Sequence, residues 1–367
     1  MRFNKLQKEI VIVRLDIFRK IGLGHYIRMS NLAKADITRD YILLYRTDLN
    51  NFPFSLNDSF VKAYEIGSPS TNRVWESLDC NDKLCFDDYM NDWLETKSKL
   101  IHIEKEFRTI KLLIVDNFLI NLDWYECIRD DSHFSCLSII NIDDFNKSYP
   151  QVDISINYTG PSNFIKRDLR GNYLTGGLKY SPFSLDLCRT RNMILNSLNT
   201  SYPLRNSIMI SFGFFDELNL TYPTLQILLE ITNLKFNVLL SEEALSYSSV
   251  LSLTPNERIN LIPFTKNISE IYLDSFLSFG TYGLMSFEKA FLGISQFNIL
   301  EHPNQERNKI TLEKLGLSSP FYDPYSIKIR DIKTIMSTDF QEGLLKNKAI
   351  FGDGILEWVK LVDMIFD

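Results

Sequence analysis

Glu9-Ile10-Val11-Ile12-Val13-Arg14-Leu15-Asp16, followed closely by Ile21-Gly22-Leu23-Gly24-His25-Tyr26-Ile27-Arg28, is the stretch that decides the fold. Its first part is apolar at successive positions, the pattern of a parallel strand covered on both faces. Its second part sets two glycines after that strand, where a helix opens. Strand, glycine turn and helix bare backbone N–H groups at a helix N-terminus, which favours phosphate or another anion. The motif is not a full dinucleotide fingerprint, because Ile27 stands at the third glycine position, and no Gly-Lys-Ser/Thr of a P-loop follows. An apolar core of residues 10–13, interrupted at once by Arg14 and Asp16, is too short for a signal peptide and reads as a first buried strand.

Similar runs recur along the chain. Residues 41–46, 61–66, 111–116, 137–142 and 152–157 are expected strands of the first half. Residues 207–212, 236–240, 259–264, 275–280 and 296–300 are those of the second. Helical stretches lie between them, at 222–232, 286–292 and 307–315 among others. Strand–helix alternation twice over predicts two doubly wound α/β domains, with a ligand in the cleft at the carboxyl ends of both sheets. The stretch 158–206 breaks the rhythm with Gly160-Pro161, Gly176-Gly177, Ser181-Pro182 and Pro203. The expected division is an N-terminal domain at 1–175, a connection at 176–205, a nucleotide-binding domain at 206–350 and a C-terminal helix at 351–367.

Composition narrows the function classes. A chain of 367 residues with 45% apolar and 23% charged side chains has the balance of an ordinary globular protein and enough length for two cores. A net charge of −6 argues against nucleic acid as the main partner. No apolar run is long enough to suggest a transmembrane segment. Five cysteines without a CxxC pair, and four histidines without ligand spacing, point away from disulfides and structural zinc and towards reduced thiols in the cytoplasm. The 15 glycines are about 4% of the chain against a usual 7% or so, and several adjoin strand-like runs, where they mark tight turns or close backbone approach.

Three turns carry candidate chemistry. In the first, the positive end of a helix disfavours imidazolium at His25 and leaves a ring able to accept a proton; the bland alternative is a polar cap or a satisfied core histidine. The second is Gly280-Thr281-Tyr282-Gly283-Leu284-Met285-Ser286-Phe287-Glu288. Its amides could hold a diphosphate, and Glu288 could accept hydrogen bonds from ribose hydroxyls, although a solvated surface glutamate is the commoner case. The third is Ser211-Phe212-Gly213 with Asp216. Asp143-Asp144 and Asp116, at strand ends, read as caps or turns rather than metal ligands.

These motifs resemble those of the UDP-sugar hydrolases of pseudaminic acid biosynthesis and the related spore-coat polysaccharide proteins. The resemblance rests on Arg14-x-Asp16 and Gly22-x-Gly24-His25-x-x-Arg28, and continues at 112–116, at 141–144 and at Asp153-Ile154-x-x-Asn157. It extends to Gly177-x-x-Tyr180, Asn304-Gln305 and Gly352-Asp353-Gly354. The segment from Thr281 to Glu288 is similar to the donor-binding segment of the N-acetylglucosaminyltransferase that makes lipid II. The resemblance implies the GT-B architecture of two Rossmann-like domains and a catalytic role for His25. It implies sugar-side contacts from Asp16, Gly22, Gly24, Arg28, Asn157 and Tyr180. On the nucleotide side it implies Gly213, Gly280, Thr281, Gly283, Ser286, Glu288, Asn304 and Gln305. No metal or cofactor is expected, since helix N-termini can carry the leaving-group charge.

The chain departs from that family in three places. Gly213-Phe214-Phe215-Asp216 replaces a Gly-Gly-Thr-Asp turn, Phe118 stands where a tyrosine is usual, and 72–106 and 158–206 carry extra material. The expected function is hydrolysis of a nucleotide-activated sugar, most simply UDP-linked, in surface glycan synthesis. A GT-B glycosyltransferase, with an acceptor hydroxyl in place of water, is the alternative. A nucleotide-sugar-binding protein without catalysis comes next, and a dinucleotide-dependent dehydrogenase last.

Overall fold

The computed structural model describes residues 8–50, 52, 54–67, 85–160, 162–197, 205–263, 268–321, 323–336 and 350–367. The chain divides into two compact units, Met1–Ser184 with Asp353–Asp367, and Leu185–Gly352. Phe264, Cys80, Pro161 and Pro203 lie outside the described residues, as does part of the extra material at 72–106.

The first unit is built on β1 (Glu9–Ile17), β2 (Arg39–Thr47), β3 (Lys62–Glu65), β4 (Leu112–Asp116), β5 (Ser138–Ile142), β6 (Ile154–Asn157), β7 (Phe164–Arg167) and β8 (Tyr173–Gly176). They lie in the order β3-β2-β1-β4-β5-β6-β8-β7. Every pairing is parallel except β7 with β8. The central strands are buried along nearly their whole length, as their unbroken apolar runs require. Helices α1 (Gly24–Ala35), α2 (Phe86–Glu106) and α3 (Leu122–Arg129) connect them. Trp93 of α2 meets Trp124 of α3 edge to face, with ring centroids 5.8 Å apart, in the main core of this unit.

The second unit repeats the scheme with β9 (Ser207–Ser211), β10 (Lys235–Leu239), β11 (Ile259–Ile262), β12 (Ser275–Thr281), β13 (Ser295–Ile299) and β14 (Ser319–Pro320). Their order is β11-β10-β9-β12-β13-β14, all parallel. Around them run α4 (Leu185–Ser197), α5 (Thr221–Ile231), α6 (Tyr247–Leu251), α7 (Ile268–Asp274), α8 (Leu284–Phe291), α9 (Glu306–Lys314) and α10 (Ile329–Met336). The last helix, α11 (Leu356–Phe366), belongs to the first unit. There Trp358 Nε1 donates to the Tyr180 carbonyl at 2.6 Å, and Arg39 pairs with Asp363 at 2.6 Å.

In each unit the strand order turns back beside the first strand, between β1 and β4 and between β9 and β12. A doubly wound sheet opens its crevice at such a switch point, outside the carboxyl ends of the strands. The turns carrying His25, Gly213 and Gly283 leave β1, β9 and β12 at those ends. Gly280 serves the sheet itself: it pairs with Ser211 and Asn298 inside β12, and a β-carbon there would sit 2.5 Å from the Ser211 carbonyl oxygen. Gly280→Ala should therefore destabilise the second unit by about 1–3 kcal/mol through overpacking. Urea titration should read this as a lower midpoint with an unchanged slope.

Candidate functional site

At the switch point of the first unit, β1 runs into a short 3-10 turn and then α1. Gly22 takes φ 71, and neither Gly22 nor Gly24 has a neighbour within 4 Å of where a β-carbon would stand. No side chain caps α1 and no acid lies in its first turn, so its leading N–H groups keep their positive end.

His25, in that first turn, is 7% exposed, and its Nδ1 lies 2.6 Å from Oδ1 of Asp116, the last residue of β4. Burial opposes ionisation of Asp116, but Arg28 and His25 outweigh it and hold its carboxyl down at about 2. A carboxylate has no proton to give, so Nδ1–H donates to it, and the lone pair of the neutral ring is then at Nε2. One turn along α1, Arg28 clamps the same acid, with its Nη2 3.1 Å from His25 Nδ1. Its Nε donates to Asp116 Oδ2 at 2.7 Å, and a second guanidinium nitrogen reaches Oδ1. The remaining donors go to Asp144 at 3.0 and 2.8 Å and to the Tyr158 hydroxyl oxygen at 2.8 Å. His25, Asp116 and Asp144 also offer donor atoms within 4.8 Å of one another, a spacing that suits a cation; the Arg28 guanidinium bridges these same two carboxylates. The constellation can take one proton at His25 Nε2 and stabilise the resulting imidazolium through Asp116.

The other expected sugar-side residues lie apart from this cluster in their bonding. Asp16 is 2% exposed and is held by Arg14 and by Asn117 Nδ2 at 2.7 Å. Arg14 continues to Asp92 at 2.8 Å, which Arg46 also binds at 2.9 Å, so Asp16 belongs to a buried ion network. Asn157, closing β6, accepts from the Thr159 amide and hydroxyl at 3.0 and 2.8 Å. Tyr180 is buried, with its carbonyl on Trp358. Asp116 and Asp144, which lie in the motifs at 112–116 and 141–144 and read as caps or turns in the sequence, join the site instead as partners of His25 and Arg28. Tyr158 was not expected there, and its only sequence signal is its position just beyond a strand end.

In the second unit, two turns flank the switch point and differ in charge. The Gly283 turn opens α8 with no side-chain cap and no acid in the first turn. The Ser286 hydroxyl donates to the Gly283 carbonyl at 2.6 Å and braces this turn, while Thr281 ends β12 beside it. Further along α8, Glu288 is 8% exposed and accepts from the Tyr272 hydroxyl at 2.6 Å; burial pushes its carboxyl up.

The Gly213 turn, at φ 84, is lined by acids instead. Asp216 takes the amides of Leu220 and Thr221 at 2.9 and 3.1 Å, capping the start of α5. Glu301, beyond β13, brings Oε2 within 3.4 Å of a notional Gly213 β-carbon. The neighbouring 3-10 turn Pro303–Gln305 supplies Gln305, whose Oε1 accepts from the Glu301 amide at 3.3 Å. Asn304 Oδ1 is buried without a hydrogen-bond partner among the described residues. Burial, then the Asp216 charge, pushes Glu301 up to about 7. Nothing in the sequence singled out Glu301. Its raised pKa means the folded state holds a proton that the unfolded chain releases near the ordinary carboxyl value. Stability should thus fall as pH rises from about 4.5 to about 7 and level off above. Glu301→Gln should raise Tm above pH 7 and flatten that slope, as melts across pH 4.5–8.5 would read.

No protein-family model and no curated protein matches the sequence. Solved structures match its fold over nearly the whole chain. A MurG from Acinetobacter baumannii aligns with TM-score 0.61 at 11% identity, over 97% of this chain and 99% of its own. The glycosyltransferase SnogD from Streptomyces nogalater gives 0.61 at 10% identity, over 98% and 100%. UGT2 from Phytolacca americana, complexed with UDP-2-fluoro-glucose and pterostilbene, gives 0.60 at 10% identity, also over 98% and 100%. With its two parallel-sheet units in the same strand order, the chain has the GT-B fold.

Proposed function

We propose that the protein hydrolyses a nucleotide-activated sugar, most simply a UDP-linked one, with His25 as general base. The observation that carries this reading is the His25–Asp116 pair at 2.6 Å, clamped by Arg28 at the switch point of the first unit. In the proposed step, a water attacks the anomeric carbon and gives its proton to His25 Nε2. The glycosidic C–O bond breaks, and the nucleoside diphosphate departs with the bonding pair. Asp116 offsets the charge on the imidazolium, and Arg28, itself held by Asp144, holds Asp116 in place. The diphosphate is assigned to the Gly283 turn, whose uncapped amides at the start of α8 lack the carboxylates that surround Gly213. Glu288 is assigned to the ribose, with Tyr272 orienting its carboxylate.

Transfer to an acceptor hydroxyl is the second reading, favoured by the glycosyltransferases among the structures of like fold. The same base would serve either nucleophile. Product analysis separates them: free reducing sugar formed without an acceptor means hydrolysis, whereas acceptor-dependent release of UDP means transfer. Assays on a panel of UDP-sugars should show turnover that survives EDTA; strict dependence on a divalent ion would contradict the leaving-group assignment. His25→Ala should lower kcat by about 10²–10⁴-fold while leaving UDP affinity nearly unchanged in calorimetry. Asp116→Asn should cost a similar factor in kcat, because the carboxamide can no longer fix the tautomer or balance the imidazolium. Full activity in either variant would remove His25 from the chemistry.

A further inference from the structure

The hairpin of β7 and β8 is the most exposed part of the first sheet that carries large apolar side chains. All four residues of β7 are exposed, and among the described residues the strand pairs only with β8, at the end of the sheet. Its tip is a built turn. The Asp168 amide donates to the Asn172 carbonyl at 2.9 Å, and the Gly171 amide to the Asp168 carbonyl at 3.1 Å. The Asp168 carboxylate accepts from the amides of Arg170 and Asn172 at 2.8 and 2.9 Å, so its charge is spent on the turn itself.

On this rigid turn Leu169 stands fully in solvent, at 107% relative exposure, with Ile165 at 52% and Phe164 at 39% behind it. Lys166 and Arg167 stand on opposite faces of β7 and Arg170 in the turn, all exposed. Two of these cations are held against rings: Lys166 Nζ lies 5.4 Å from the Phe164 centroid, and the Arg167 guanidinium 4.4 Å from that of Tyr173. The Phe164 ring in turn rests on Gly176, where a β-carbon would collide with it. In a chain of net charge −6, this hairpin gathers three cations against one internally bonded carboxylate.

We propose that this hairpin docks the protein on an anionic lipid bilayer. Leu169 enters the headgroup layer tip first, and Lys166, Arg167 and Arg170 lie on the lipid phosphates. An apolar tip with cations beside it and on both faces of the strand behind it is the chemistry an anionic bilayer recognises, since it offers acyl surface beneath negatively charged headgroups. Edge pairing with a second copy of the chain is the competing use of β7, and its lysine and arginine oppose it.

The test is co-sedimentation of the full chain with vesicles of phosphatidylcholine containing one quarter phosphatidylglycerol, and with pure phosphatidylcholine, at 50 and 500 mM salt. Binding should require the anionic lipid and fall at high salt. Each cation contributes about five-fold to partitioning, so the triple variant Lys166→Gln, Arg167→Gln, Arg170→Gln should bind about a hundred-fold more weakly. Leu169→Ser should cost about ten-fold or more. Because these side chains are exposed, Tm should stay at the unsubstituted value, which separates lost docking from misfolding. No binding to anionic vesicles, or equal binding by the variants, would overturn the proposal. So would a dimer in sedimentation velocity that Leu169→Ser dissolves, which would assign the hairpin to a second copy.

Discussion

Parallel pairing of a central strand on both sides constrains everything else in each unit. β1 is bonded to β2 and β4, and β9 to β10 and β12, always in the same direction. Parallel neighbours cannot be joined by a tight turn, so each connection crosses a face of the sheet, usually as a helix. The turns that leave the strands then collect at one edge, and at the switch point two of them part and leave a crevice. His25, Asp116, Gly213 and Gly283 owe their positions to this rule before any of their own bonds form.

Within the first unit, the next constraint is Asp116. It is fully buried, and a carboxylate taken from water is costly unless cations and donors replace the lost hydration. Arg28 and His25 supply them from successive turns of one helix, so the need to solvate one acid also orients the imidazole. Asp144 and Tyr158 then satisfy Nη1, the one guanidinium nitrogen that Asp116 does not reach. The second unit handles charge differently. Lys289 is buried beside Asn298 at 3.2 Å, and burial brings its ammonium down to about 7. Together with Glu301 it gives this unit two groups whose charge burial weakens near neutral pH, both close to the β12–β13 edge.

The strands were legible because burial on both faces leaves an unbroken apolar run. Residues 41–46, 111–116 and 207–212 are found as β2, β4 and β9 within a residue or two at most ends. The glycine turn before His25 was legible because its signal is local. The β7–β8 hairpin was not: it lies in the stretch 158–206 where the strand–helix rhythm breaks, since an exposed ribbon shows no period of apolar burial. Helix α2 was likewise hidden in apparent extra material, although Trp93 and Leu100 bind it to the core. Gly280 belongs to the sheet, where close strand packing excludes a β-carbon.

The amino-acid sequence by itself determined the α/β class, the twofold repetition of the sheet and the turn that presents His25, because each depends on neighbours a few residues apart. Tertiary structure alone decided the partners. Asp116 meets Arg28 across 88 residues and Tyr158 meets it across 130, and Glu301 comes to Gly213 from another strand. The electrostatics of a buried charge depends on distance in space, which a linear order of residues does not carry, and so His25 acquired its acid only when β4 paired with β1.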